Sequence, residues 1–218
     1  MNLRKLIVVT CSAIFIVLSG SELAVLATEA RSGNNQRTFA DWCRQKDSLS
    51  PETKHTVEVL LEEAKTNDCD AADRKLSSLT KLYFYDQQIS DIKPLASLTN
   101  LTHIELSNNQ IGDIKPLASL TNLKQLSLYD NQINDIKPLV SLTNLTELDL
   151  ENNQIRDIKS LASLTNLTDL DLENNKISDI KLLQSLTNLT NLYLSGNPIA
   201  PKTCPLKPES ICNWEPRN

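Results

Sequence analysis

The acidic triplet Glu147, Asp149, Glu151 returns 22 residues later as Asp169, Asp171, Glu173. Glu105 and the tyrosines Tyr83, Tyr85, Tyr129 and Tyr193 fall at the same offsets from other copies of the phrase. Paired carboxylates can serve general acid–base catalysis, hold a hard cation such as calcium, or select a basic surface. Tyrosine is enriched at interface hot spots. His55 and His103 are the only histidines, and no Cys-x-x-Cys is present, so the zinc chemistries have no ligand set. No nucleophile beside a base and no Gly-rich phosphate loop is legible. These residue types therefore point to recognition rather than to an enzyme, with no cofactor implied.

The elements that must position them form a repeat. Residues 142–163 and 164–185 are identical at 17 of 22 positions. With Leu79, Leu101, Leu123, Leu145, Leu167 and Leu189 as position 1, apolar residues recur at positions 1, 4, 6, 11, 14, 17 and 20. Position 9 is Asn109, Asn131, Asn153, Asn175 and Asn197, with Gln87 in the first copy. This is a leucine-rich repeat of the short kind. One 22-residue coil cannot bury its own leucines, whereas stacked coils bury them in one column. Positions 4 and 6 point inward from a short strand, which turns positions 3, 5 and 7 outward. The position-9 amide is expected to satisfy backbone groups where the chain leaves the strand. In the second half of each coil, D-I-K-P-L predicts an Asx-type turn and a short helical turn, with Asp and Lys rows exposed on the convex side.

Phrases such as SLTNLTELDLENNQI and QISDIKPLASLTNL resemble the repeats of bacterial internalin-type leucine-rich repeat proteins. The flanking segments resemble the caps of small secreted leucine-rich repeat proteins of cyanobacteria. The resemblance implies a curved solenoid that binds other proteins on its concave strand face. Two departures, no immunoglobulin-like region after the repeats and no LPxTG-like sorting motif, argue against a surface-displayed adhesin.

The ends of the repeat array need covers, because an open column would expose leucine to water. Ser50-Pro51-Glu52 reads as a helix start, and Val57, Leu60, Leu61 and Ala64 share one face of that helix. Upstream, Arg4 and Lys5 precede the apolar run Leu6–Leu18 and then VLATEA, the order of a secretory signal peptide cleaved after Ala27 or Ala30. An exported chain keeps Cys43, Cys69, Cys204 and Cys212, an even number suited to two disulfides. Two lie before the repeats and two after. The local pairings Cys43–Cys69 and Cys204–Cys212 are thus expected among the three possible.

The expected architecture is an α/β solenoid: a curved leucine-rich repeat superhelix with parallel strands inside, a helical N-terminal cap and a disulfide-closed C-terminal cap. Its expected boundaries are 1–30 signal peptide, 31–78 N-terminal cap, 79–200 five full repeats and one partial, and 201–218 C-terminal cap. The net charge of −5, from 22 basic and 27 acidic residues, disfavours nucleic acid. No later segment is apolar enough to span a membrane. A secreted or periplasmic monomer is expected, binding a protein with a basic surface. The expected contact residues are Tyr83, Tyr85, Glu105, Tyr129, Glu147, Asp149, Glu151, Asp169, Asp171, Glu173 and Tyr193. The alternatives are a structural or envelope-associated protein with no specific partner and, last in order, an enzyme.

Overall fold

The computed structural model describes residues 37–216. The expected signal peptide, its cleavage sites, residues 31–36 and the last two residues lie outside that range. Among the described residues three helices come first: α1 (Phe39–Arg44), α2 (Pro51–Ala64) and α3 (Cys69–Ser77). Each starts on a side-chain cap. Thr38 and Asp41 form a capping box on α1, Ser50 accepts from Thr53 N at 3.3 Å, and Asp68 accepts from Ala71 N at 2.7 Å. Helix α2 buries Val57, Leu60, Leu61 and Ala64 as its spacing predicts, together with Thr53, Thr56 and Val59.

Six three-residue strands follow at 22-residue intervals: β1 (Lys81–Tyr83), β2 (His103–Glu105), β3 (Gln125–Ser127), β4 (Glu147–Asp149), β5 (Asp169–Asp171) and β6 (Asn191–Tyr193). They form one parallel sheet in chain order, each residue paired with the residue 22 later. A two-residue β7 (Cys212–Asn213) adds to the β6 edge, where the sequence suggested only a disulfide-closed cap. Short 3-10 segments such as Lys115–Ser119 and Lys137–Ser141 form the opposite wall. Strands pack about 4.8 Å apart, closer than these bulkier turns can, so the strand wall is the concave one. The leucine and isoleucine positions of successive coils stack between the walls with almost no solvent contact, one continuous core as the repeat physics requires.

The asparagine at position 9 holds the coils together. Asn153 Nδ2 donates to Leu128 O, Leu150 O and Glu151 O, and its Oδ1 accepts from Ile133 N at 2.9 Å. Two of those four partners, Leu128 and Ile133, belong to the preceding coil. This explains the exception in copy one. Gln87 has no preceding coil to secure, so the ladder starts at Asn109, whose Oδ1 accepts from Gln87 N and Ile89 N. Position 8, just before, adopts the left-handed conformation in every coil: Asp86, Asn108, Asp130, Asn152, Asn174 and Gly196 have φ between 51° and 70°. Only Gly, Asn and Asp enter that region readily, and only they occur there.

Cap and repeats meet at Asp91. Its carboxylate accepts from the Thr53 hydroxyl, and its carbonyl accepts from Thr56 Oγ1 at 2.7 Å. His55 Nε2 lies 2.7 Å from the Gln87 carbonyl. Cys43 is bonded to Cys69, tying α1 to the start of α3, and Cys204 to Cys212, closing the loop that delivers β7. No helix among the described residues is long and apolar enough to cross a membrane.

Candidate functional site

The concave face displays positions 3, 5 and 7 of every coil. A groove of about 570 Å3 runs across the strands from Tyr83 on β1 to Tyr193 on β6, over positions 3 to 5. The parallel register sets Glu147 opposite Asp169 and Asp149 opposite Asp171. Like charges so placed repel, and the local hydrogen bonds show how the fold tolerates them.

Each position-3 acid is bound by an amide on its far side. Gln125 Nε2 donates to Glu147 Oε1 at 2.6 Å, and Asn191 Nδ2 donates to Asp169 Oδ1 at 2.6 Å. Thr168 Oγ1 adds a bond to Asp169 Oδ2. The position-5 acids turn along their own chain. Glu105, Asp149 and Asp171 accept from the backbone N–H two residues on, at Ser107, Glu151 and Glu173, over 2.7–3.0 Å. Those N–H groups sit where the ladder ends, because the asparagine row takes the carbonyls they would otherwise reach. An acid at position 5 thus caps an orphan donor. The same i to i+2 logic was legible in D-I-K, where Asp113, Asp135, Asp157 and Asp179 each accept from the lysine N–H two residues later. It escaped notice in D-L-E and E-L-S because the strand pattern took precedence.

Exposure divides the expected contact residues. Tyr83 and Tyr85 are 64% and 56% exposed, and Glu147 is exposed. Glu105, Tyr129, Asp149, Glu151, Asp169 and Tyr193 are half-buried. Asp171 and Glu173 correct the expectation of a fully open grid, being only 4% and 2% exposed. Asp171 is flanked in register by Asp149 and Tyr193, and neighbours 4.8 Å away on a concave face shield one another. Ser107 and Ser195 at position 7 are buried as well. Asp149, Glu151 and Asp171 bring carboxylate oxygens within 4.8 Å of one another, an arrangement open to a hard cation or to a basic side chain.

At the other end of the groove the charge is mixed. Lys81 is exposed and His103 half-buried. Burial, with Lys81 nearby, holds the His103 imidazole below its ordinary value, against the opposing pull of Glu147. On the convex side Asp and Lys form the exposed ladders expected, with contacts such as Lys159 to Asp157 at 3.6 Å. Asp91 is the exception, drawn against the cap by Thr53, an anchor for which the sequence held no signal.

The family described as Leucine Rich repeats (2 copies) matches residues 77–119, 121–163 and 165–207. No curated protein sequence matches the chain. Among solved structures, an internalin (InlF) from Listeria monocytogenes str. 4b F2365 is 45% identical with a TM-score of 0.51, over 51% of this chain and 33% of that one. The chain therefore corresponds to about one third of that internalin's length. An internalin C2 from the same strain is 29% identical over 71% of this chain and 88% of that chain, with a TM-score of 0.45. The LRIM1/APL1C complex, at 20% identity, TM-score 0.52, and 57% and 24% coverage of this and that chain, shares the fold alone. Six registered coils, their asparagine ladder and a match over most of the repeat array establish that the chain belongs to the leucine-rich repeat family.

Proposed function

We propose that the protein is an exported, non-enzymatic binding module that holds a protein partner with a basic surface on its concave strand face. One observation carries the reading. The coil repeats nearly verbatim where it builds the core, and the side chains at positions 3 and 5, which the core leaves free, change from coil to coil and line one continuous groove across the strands. Leucine-rich repeat proteins generally mediate protein–protein contacts, which is consistent. Two disulfides, one at each cap, suit an oxidising compartment, periplasmic or extracellular. The carboxylates lie on an open face rather than in a water-excluding cleft, which favours recognition over catalysis.

The contact surface is drawn more narrowly than the sequence suggested. Tyr83, Tyr85, Tyr129 and Tyr193 supply rigid apolar contact, with Glu105, Glu147, Asp149, Glu151 and Asp169 for charge. Asp171 and Glu173 act from beneath, through their field. A photo-crosslinking residue at Tyr83 and, separately, at exposed Lys137 on the convex wall tests the assignment in periplasm and medium. Specific adducts from the Tyr83 site alone are expected; adducts from Lys137 alone would refute it. A structural role without a partner has one observation in its favour: Glu147 and Asp169 already have amide partners. Adducts from neither site would favour that second reading.

A further inference from the structure

The shape of the groove says more about the partner than its charge does. From β1 to β6 there are five strand spacings, about 24 Å at 4.8 Å each. Along each strand the groove takes only positions 3 to 5, about 7 Å from the first residue to the third. That is the width of one extended polypeptide with its side chains, and far less than a folded surface needs to lie flat. Twenty-four ångströms is also about seven residues of extended chain.

Two periodicities then fix the sequence of such a chain. Side chains on one face of an extended segment recur every second residue, about 6.8 Å. A residue placed over exposed Tyr83 on β1 puts its i+4 neighbour about 13.6 Å away, against about 14.4 Å to β4. Its i+6 neighbour lies about 20.4 Å away, against about 19.2 Å to β5. At β4 the groove offers Glu147 and Asp149, and at β5 Asp169. The i+2 side chain, about 6.8 Å along, falls between β2 at about 4.8 Å and β3 at about 9.6 Å, where the groove offers His103 and Glu105 on one side and Gln125 and Ser127 on the other.

Resting on the concave-face reading above, we infer that the occupant is a single extended segment of a partner protein, lying across the strands. It carries an apolar residue over Tyr83 and a lysine or arginine at both i+4 and i+6. The tyrosine takes the apolar side chain, the carboxylates of β4 and β5 take the two cations, and the mixed lining between β2 and β3 (His103, Glu105, Gln125, Ser127) leaves i+2 unspecified.

Fluorescence anisotropy with labelled synthetic nonapeptides tests this on the intact protein. The matched probe carries Phe at residue 2 and Arg at residues 6 and 8 on a Ser/Thr background. A control of the same composition places both arginines beside the phenylalanine. The matched probe is expected to bind about tenfold tighter than the control, and to lose about tenfold on Glu147→Gln/Asp169→Asn. Equal binding of the two probes, or binding indifferent to that double substitution, overturns the inference. If neither probe binds while the Tyr83 crosslinker still captures a folded protein through scattered segments, the extended-segment inference fails and the concave-face reading stands. If capture at Tyr83 also fails, the concave-face reading falls with it.

Discussion

Replacing Asn153 by alanine removes one side chain and disturbs two coils. Ile133 N–H has Asn153 Oδ1 as its hydrogen-bond acceptor, and it is buried. Orphaning such a donor costs about 1–3 kcal/mol. The carbonyls of Leu128 and Leu150 are also reached by Asn131 and Asn175, and that of Glu151 by Asp130 N, so each keeps a partner. Their weakened share adds about 1 kcal/mol. The expected loss is therefore about 2–4 kcal/mol, and Gln154→Ala, exposed next door, should stay within about 0.5 kcal/mol. A sharper control is Gln87→Ala. It occupies the same position in copy one, but its side chain bonds only the exposed carbonyls of Tyr85 and Asp86, and it too should cost about 0.5 kcal/mol or less. Urea melts followed by circular dichroism distinguish the cases. Equal losses for Asn153→Ala and Gln154→Ala would mean that the amide does not join coils. A Gln87→Ala loss as large as that of Asn153→Ala would refute the claim that the ladder serves the preceding coil.

Burial works against the charge of Asp91, but Thr53 and Lys93 outweigh it and hold the carboxyl below its ordinary 3.8. A lowered folded-state value stabilises the fold above 3.8, and that stability drains away as pH falls from there through the folded value. Wild type should thus lose melting temperature below about pH 4 more steeply than Asp91→Asn, in scans between pH 6 and 2. Replacing Cys43 and Cys69 with serine should cost about 2–4 kcal/mol and raise hydrogen exchange in α1 and α3 before the repeats; uniform loosening along all coils would contradict a local clamp. Gly196→Ala should cost about 1–2 kcal/mol, since φ is +70° and the new Cβ would meet Asn174 Oδ1 at 2.1 Å. An unchanged melt would show that position 8 relaxes there.

The coil was legible because a buried column leaves an apolar residue wherever the chain turns inward, and Leu101, Ile104, Leu106 and Ile111 report it directly. The asparagine row was legible as buried amide, yet its reach into the preceding coil was not, since periodicity within one copy says nothing about stacking. Helix α2 announced itself through Ser50-Pro51. Its docking on Asp91 did not, because Asp91 reads like the four other ladder aspartates. Burial of Asp171 and Glu173 also stayed hidden. Alternation assigns a face, but exposure on that face depends on curvature and on which neighbour is a tyrosine. Strand β7 was missed because two residues carry no alternation signal.

The central claim is that the concave acids, not the convex ones, meet the partner. The direct test compares Glu147→Gln/Asp169→Asn with Asp113→Asn/Asp157→Asn, measuring affinity for the crosslinked partner by calorimetry at 0.05 to 1 M salt. Each pair removes two exposed or half-exposed charges at nearly constant size. Over that range the Debye length shrinks to about 3 Å. The concave pair should bind weakly and lose most of its salt dependence, while the convex pair should match wild type at every salt concentration. A convex pair that fails, beside a concave pair that binds like wild type, would contradict the account and move the functional face to the other wall of the solenoid.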